Sequence, residues 1–262
     1  MSNALTALSS AISQAIEESK RRERLEYGHI VELSQRALDA NEQIIDFLAD
    51  QKPIDDERAY VAVQLLRASF DHARALLFLL KSNPQDMGAS CMALHRAQVE
   101  SFLRAVFFGF ICSQAQIDDF LENDEGPRER TANDKWRKIG VGELAAIVQP
   151  IINRLSDEDL EIEQSEKIAQ MVRNAWDPLC GFVHGGKAIR AFYRDAHGRI
   201  GCDLSPGVLI QTVGNCYAIT NFGFLLVLAR IYDLPGIASN SPLSNAMHAF
   251  VELHHTYSEL AA

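Results

Sequence analysis

Residues 84–112 read PQDMGASCMALHRAQVESFLRAVFFGFIC, and this stretch decides the fold. Leu94, Val99, Phe102, Leu103, Val106, Phe107, Phe110 and Ile111 recur at helical spacing. From Ala105 to Cys112 the segment is apolar all round, the pattern of a helix covered by neighbours on every side. The preceding segment, opened by Asp55-Asp56-Glu57 after Pro53, places Val61, Leu65, Leu66, Phe70, Ala73, Leu76, Leu77 and Leu80 on one stripe, again three and four apart. Outward from these two central helices, two N-terminal helices are expected at about 5–20 and 24–51. Further helices are expected at 141–155 and 157–176, and after Ser205-Pro206 and Ser241-Pro242, where Pro takes the first helical position.

Three segments depart from this pattern. NDEGPRERTANDKWRKIG, residues 123–140, has no apolar period and reads as a mobile loop. Asp177-Pro178 reads as a reset of the chain that opens a short helix ending at His184 before Gly185-Gly186. Alternation of Ile189, Ala191 and Tyr193 with Arg190, Phe192 and Arg194, followed by the turn-forming DAHG, predicts a β-hairpin over residues 189–203. The expected fold class is therefore all-α, a multi-helix up-and-down bundle with one small hairpin. Residues 1–52 are read as N-terminal helices and 53–262 as the bundle core, within one domain overall.

Composition narrows the function classes. The 262 residues are 47% hydrophobic, with a formal net charge of -10, which argues against a general nucleic-acid coat and against anionic membranes. Five cysteines, at 91, 112, 180, 202 and 216, form no C-x-x-C pair, which suits free thiols in a reducing cytoplasm. The opening residues carry no basic-then-apolar leader, and the apolar run from Phe222 to Ala229 is far short of the roughly 20 residues of a membrane helix. A cytoplasmic location without membrane attachment is the expectation. No nucleophile elbow, phosphate-binding glycine loop or dinucleotide fingerprint occurs, and no cofactor is expected. Glu26/His29 and Glu252/His255 have the E-x-x-H spacing of di-iron bundles, but the central helices offer only Asp71 and Glu100 as further carboxylates, so no metal is expected either.

Charge is unevenly spread. Residues 58–112 carry +3 and 167–199 carry +4, while the outer helices and the 113–166 region are acidic. In the central helices Arg67/Asp71, Arg96/Glu100 and Glu100/Arg104 are each four apart and can pair on one helix face. The second basic region reads RNAWDPLCGFVHGGK, residues 173–187, followed by Arg190, Arg194, His197 and Arg199. A histidine at a helix end beside two glycines, among several cations, has the composition of a phosphate site. The alternative is a structural polar network, in which the Arg/Glu/His cluster ties helices together and the surface serves protein contacts.

Arg96-x-x-x-Glu100, then Arg173-Asn174, then Phe182-Val183-His184-Gly185-Gly186 resembles uncharacterised all-helical bacterial families. These are distantly similar to the HEPN superfamily of defence and toxin ribonucleases and their catalytically dead relatives. The resemblance implies a phage-defence or toxin–antitoxin protein that binds RNA or a nucleotide. Its active members are metal-independent ribonucleases with an arginine and a histidine at a dimer cleft. Carried onto this chain, His184, Arg173 and Asn174 are the candidate catalytic residues, and Arg96, Glu100, Lys187 and Arg190 the candidate ligand-binding ones. A homodimer and a protein partner are the implied assemblies.

Overall fold

A computed structural model describes residues 2–131, 133, 135–154, 167–185, 187–194, 204–234 and 241–261. Side chains are described between residues 26 and 257 within those ranges, apart from positions 167, 187, 188 and 191. The chain is all-α with one two-stranded antiparallel hairpin, as the sequence predicts, although the hairpin lies elsewhere.

The elements are α1 (Ser2–Ala49), α2 (Glu57–Ser82), α3 (Pro84–Phe110), α4 (Gln114–Asn123), β1 (Arg128–Arg130), β2 (Trp136–Lys138), α5 (Val141–Asn153), α6 (Lys167–Val183), α7 (Lys187–Phe192), α8 (Pro206–Arg230) and α9 (Pro242–Ala261). The centre is an antiparallel α2/α3 pair joined by one residue. Asn83 ends α2, its backbone N–H donating to the Leu79 carbonyl at 2.9 Å, and starts α3, its side chain accepting from the Asp86 N–H at 3.2 Å. Pro84 follows in the first turn of α3, where a missing N–H costs nothing.

Two clusters of buried side chains fill the body. One joins α2, α3, α5 and α8 through Phe70, Phe102, Phe108, Val148 and Phe224. The other joins α1, α2, α6, α8 and α9 through Leu33, Leu76, Leu80, Phe182, Leu209 and Phe250. Helix α8 runs through both. Its 25 residues are long and apolar enough to cross a membrane by length and composition, yet 61% of its most apolar window is buried inside the protein. Its close approach to α2 needs Gly223, where a Cβ would stand 2.9 Å from Leu66 Cδ2.

Four expectations are corrected. The N-terminal helices are one continuous α1, because no glycine or proline interrupts residues 20–24. The region expected to be a mobile loop holds the hairpin, with Arg128 opposite Lys138, Glu129 opposite Arg137 and Arg130 opposite Trp136. Its order comes from charge rather than burial, which is why no apolar period announced it. Arg137 bridges Glu129 and Glu143, Arg128 pairs with Asp119, and the Arg128 and Arg130 guanidinium groups lie 5.4 and 5.1 Å from the Trp136 ring. Helix α6 continues through Pro178 instead of restarting there. Proline removes one helical hydrogen bond, and burial of Leu179 and Phe182 on the same face keeps the helix together. Finally, the hairpin expected at 189–203 is absent where the structure describes it: residues 187–192 are helix α7, with Ile189 and Phe192 three apart and both against the core. Residues 195–203 lie outside the described residues.

Candidate functional site

Helices α3, α6, α7 and α8 enclose a cavity of about 570 Å³, within the roughly 300–1,000 Å³ of small-molecule sites. Its walls follow from helical spacing. Helix α6 contributes Gln170, Asn174 and Pro178 on one edge and Met171, Ala175, Leu179 and Phe182 on the next, a continuous stripe of neighbours three and four apart. Helix α8 contributes Val208, Gln211, Thr212 and Asn215, α3 contributes Met92 and His95, and Phe192 of α7 closes one end against Phe182, their ring centroids 4.3 Å apart.

Two properties of this lining stand out chemically. Among the described residues it contains no Asp, Glu, Lys or Arg. It does contain four carboxamides, arranged as Gln170-x-x-x-Asn174 on α6 and Gln211-x-x-x-Asn215 on α8, and none of the four side chains makes a hydrogen bond to described residues. Pro178 adds to the polar inventory. With no N–H at 178, the Asn174 carbonyl loses its usual helical donor.

His95 is the titratable group of the lining, only 3% exposed, and its protonation state is set from behind. The Gln98 amide nitrogen donates to the Cys216 carbonyl at 2.8 Å, which fixes the amide orientation and turns Gln98 Oε1 towards His95 Nδ1 at 3.0 Å. Nδ1 must therefore carry the hydrogen, leaving Nε2 as an unprotonated acceptor. Burial pushes the His95 pKa below its ordinary value, partly opposed by the Gln98 hydrogen bond, so the ring is neutral at pH 7. Ser69 on α2 donates to the Gln98 carbonyl at 3.0 Å, so the relay is anchored to three helices.

The residues singled out from the sequence distribute differently. Asn174 lines the cavity. Arg96 and Glu100 do not; they belong to an Arg–Glu–Arg ladder along α3, with Arg96 3.7 Å and Arg104 2.6 Å from Glu100. The Arg96 guanidinium lies 5.0 Å from the Trp176 ring centroid, so the ladder docks α3 on α6, and its Nε is buried without a hydrogen-bond partner. The expected i, i+4 pairs thus form, Arg67–Asp71 at 3.1 Å included. Arg173 is exposed on α6 and has an interaction partner. His184 is exposed where α6 ends, next to Gly185 in the left-handed region at φ 68°, and Arg190 is exposed on α7. Neither lines the cavity. Lys187 begins α7, and its side chain lies outside the described residues. The cluster read as one phosphate site is therefore divided between a ladder, a cavity wall and an exposed helix end.

Sequence reasoning missed the cavity and, with it, His95, Gln170, Gln211 and Asn215. The available signal was the repeated Gln-x-x-x-Asn, each amide one position before a buried or half-buried residue (Met171, Ala175, Thr212 and Cys216) and so at the rim of its helix's inward face. Among the described residues no three His, Cys, Asp or Glu side chains gather as a metal site. Of the E-x-x-H pairs, His29 stacks on Tyr257 at 4.0 Å, and the Tyr257 hydroxyl donates to Glu32 at 2.6 Å.

Comparison with curated proteins and with solved structures finds no match for this chain. A family model does match residues 66–251, from the middle of α2 to the middle of α9 and across every wall of the cavity. The chain belongs to the family of unknown function DUF6988.

Proposed function

We propose that this protein is a non-catalytic ligand-binding module and that its ligand is a small uncharged molecule held between α3, α6, α7 and α8. One observation carries the reading: a cavity of ligand size whose described lining has no Asp, Glu, Lys or Arg and holds four carboxamides, three of them at its exposed rim, that bond to no described residue. Apolar walls with a few convergent polar groups are the usual make-up of small-molecule sites. A lining without charge does not compensate an anion removed from water, which argues against a phosphate seated there. The Arg96–Glu100–Arg104 ladder then has the structural role that its pairing and its contact with Trp176 support. The test is ligand-observed NMR with indole as a neutral ring probe. Indole should bind saturably to the wild type and be lost from Val208→Trp, which fills the cavity from a rim position 42% exposed. Absent binding, or binding indifferent to that substitution, would overturn the reading.

A second reading, an HEPN-like bacterial RNA-binding homodimer, draws support from exposed His184, Arg190 and Arg194 around the end of α6 and along α7. In that reading His184 assists attack of a ribose 2′-hydroxyl and Arg173 holds the phosphate. A ribonuclease assay in EDTA tests it: wild-type cleavage lost in both His184→Ala and Arg173→Ala would favour it over the cavity reading. Light scattering after size exclusion tests the homodimer.

A further inference from the structure

The cavity's polar groups have a definite handedness of donor and acceptor. Carboxamides are adaptable, each offering one acceptor oxygen and two donor hydrogens, so Gln170, Asn174, Gln211 and Asn215 can turn to suit a ligand. His95 cannot. Its Nδ1 is committed to Gln98 Oε1, and that amide is oriented by the Cys216 carbonyl. Flipping Gln98 would turn its NH2 group to His95 Nδ1 and its oxygen onto the Cys216 carbonyl oxygen, two acceptors 2.8 Å apart. The cavity wall at His95 is therefore a fixed acceptor, and a ligand seated against it must present a hydrogen. An acceptor there would meet a lone pair, and an apolar atom would leave a polar atom unpaired.

The carboxamides complete the pattern. A ligand donor facing His95, flanked by carbonyl oxygens facing amide NH2 groups, uses the lining in full, whereas a simple hydrocarbon would bury polar atoms without partners. A ring N–H between or beside carbonyls is the group with that edge. Flat rings of this kind also suit the aromatic and thioether walls formed by Phe182, Phe192, Met92 and Met171. Carboxamide side chains recognise base edges by paired hydrogen bonds elsewhere in protein chemistry.

We infer that the ligand of this cavity is a cyclic imide or lactam of nucleobase type, a uracil- or guanine-like ring, whose N–H is accepted by His95 Nε2 while the carboxamides of α6 and α8 pair with its carbonyls. The inference rests on the cavity being a ligand site and narrows what that site takes. It makes His95 a specificity-determining residue and Gln98 a positioning residue acting through it.

The experiment compares uridine with 3-methyluridine and guanosine with 1-methylguanosine by calorimetric titration of the full chain, with indole titrated beside them by ligand-observed NMR. N-Methylation removes the donor and leaves the rest of the ring in place. At least one parent nucleoside should bind, its methylated form at least about tenfold more weakly, since an unpaired buried acceptor costs on the order of 1–3 kcal/mol. In His95→Phe the discrimination should disappear, and in Val208→Trp the parent nucleoside should no longer bind. The wild-type comparison needs no variant, so a folding defect in His95→Phe leaves it intact. Equal binding of the parent and methylated forms, nucleoside binding that survives Val208→Trp, or indole binding without nucleoside binding would each overturn the inference. The last leaves the cavity itself a ligand site; failure of indole as well as the nucleosides would remove both.

Discussion

Replacing Gln98 by leucine should expose how much the fold depends on the relay behind the cavity. Gln98 is fully buried, and its side chain satisfies the His95 Nδ1 hydrogen on one side and the Cys216 carbonyl on the other. The Cys216 carbonyl keeps a second partner, the Thr220 hydroxyl at 3.0 Å, so the larger loss falls on His95. A buried donor left without an acceptor costs about 1–3 kcal/mol, and we take about 2 kcal/mol for Gln98→Leu. His95→Phe strands the Gln98 oxygen instead and should cost a similar amount. Removing both partners together leaves neither stranded, so the double variant should lose clearly less than the sum, with a coupling of about 1–2 kcal/mol. Urea unfolding of the four proteins measures this directly; each kilocalorie lost shifts the melting temperature by about 2–4 °C in a domain of this size. Single-variant losses that simply add in the double variant would refute the relay. So would a Gln98→Leu protein as stable as the wild type.

Acid should weaken the protein through the same histidine and one other. Burial lowers the pKa of His95 and of His254, the latter also through neighbouring His255, so the folded state takes up protons less readily than the unfolded chain. Stability is then retained above the ordinary histidine value of 6.5 and falls as pH drops below it; a urea midpoint no lower at pH 5 than at pH 8 would contradict this. Gly223→Ala forces a methyl group to 2.9 Å from Leu66 Cδ2 and 3.1 Å from Phe70 Cε1, and should cost about 1–3 kcal/mol by urea unfolding. Glu100→Gln removes the counter-charge shared by Arg96, largely buried, and Arg104, partly exposed, so it should cost about 1–2 kcal/mol and leave indole binding unchanged within twofold. A large loss of indole binding in that variant would return Glu100 to the site.

The parts of the fold that burial dictates were legible. The α2 and α3 stripes, the start of α3 at Pro84 and the Arg96/Glu100/Arg104 spacing all appear where the sequence puts them. What escaped has a physical reason in each case. The hairpin at 128–138 is held by ion pairs and by arginines against Trp136, which leave no apolar signature. Pro178 is tolerated inside α6 because buried residues on both sides of the break in hydrogen bonding, Val172 before it and Leu179 and Phe182 after it, hold the helix in place. The alternation at 189–194 is also compatible with a short helix, since Ile189 and Phe192, which a strand would put on opposite faces, share one helical face at a spacing of three. Of the candidate site residues whose side chains are described, only Asn174 faces the cavity. A cavity is a gap between helices, and its position depends on side-chain volumes across four elements. Arg96 was noticed for its charge and His184 for its place beside two glycines among cations, whereas the described cavity wall holds no Asp, Glu, Lys or Arg.

Helix α1 has a consequence for where this protein's folding unit begins. The family match starts at residue 66, inside α2, yet Ile30, Leu33, Ala40 and Ile44 of α1 are fully buried, and Asn41 donates to the Phe70 carbonyl at 2.9 Å. A polypeptide trimmed to residues 66–251 would uncover the apolar seam that these side chains fill and leave half of α2 without its own beginning. Such a fragment should collect in inclusion bodies, whereas one that begins ahead of Glu26 retains the whole seam. The autonomous unit is thus longer than the shared segment, and its solubility is decided by a helix that lies wholly outside the family match.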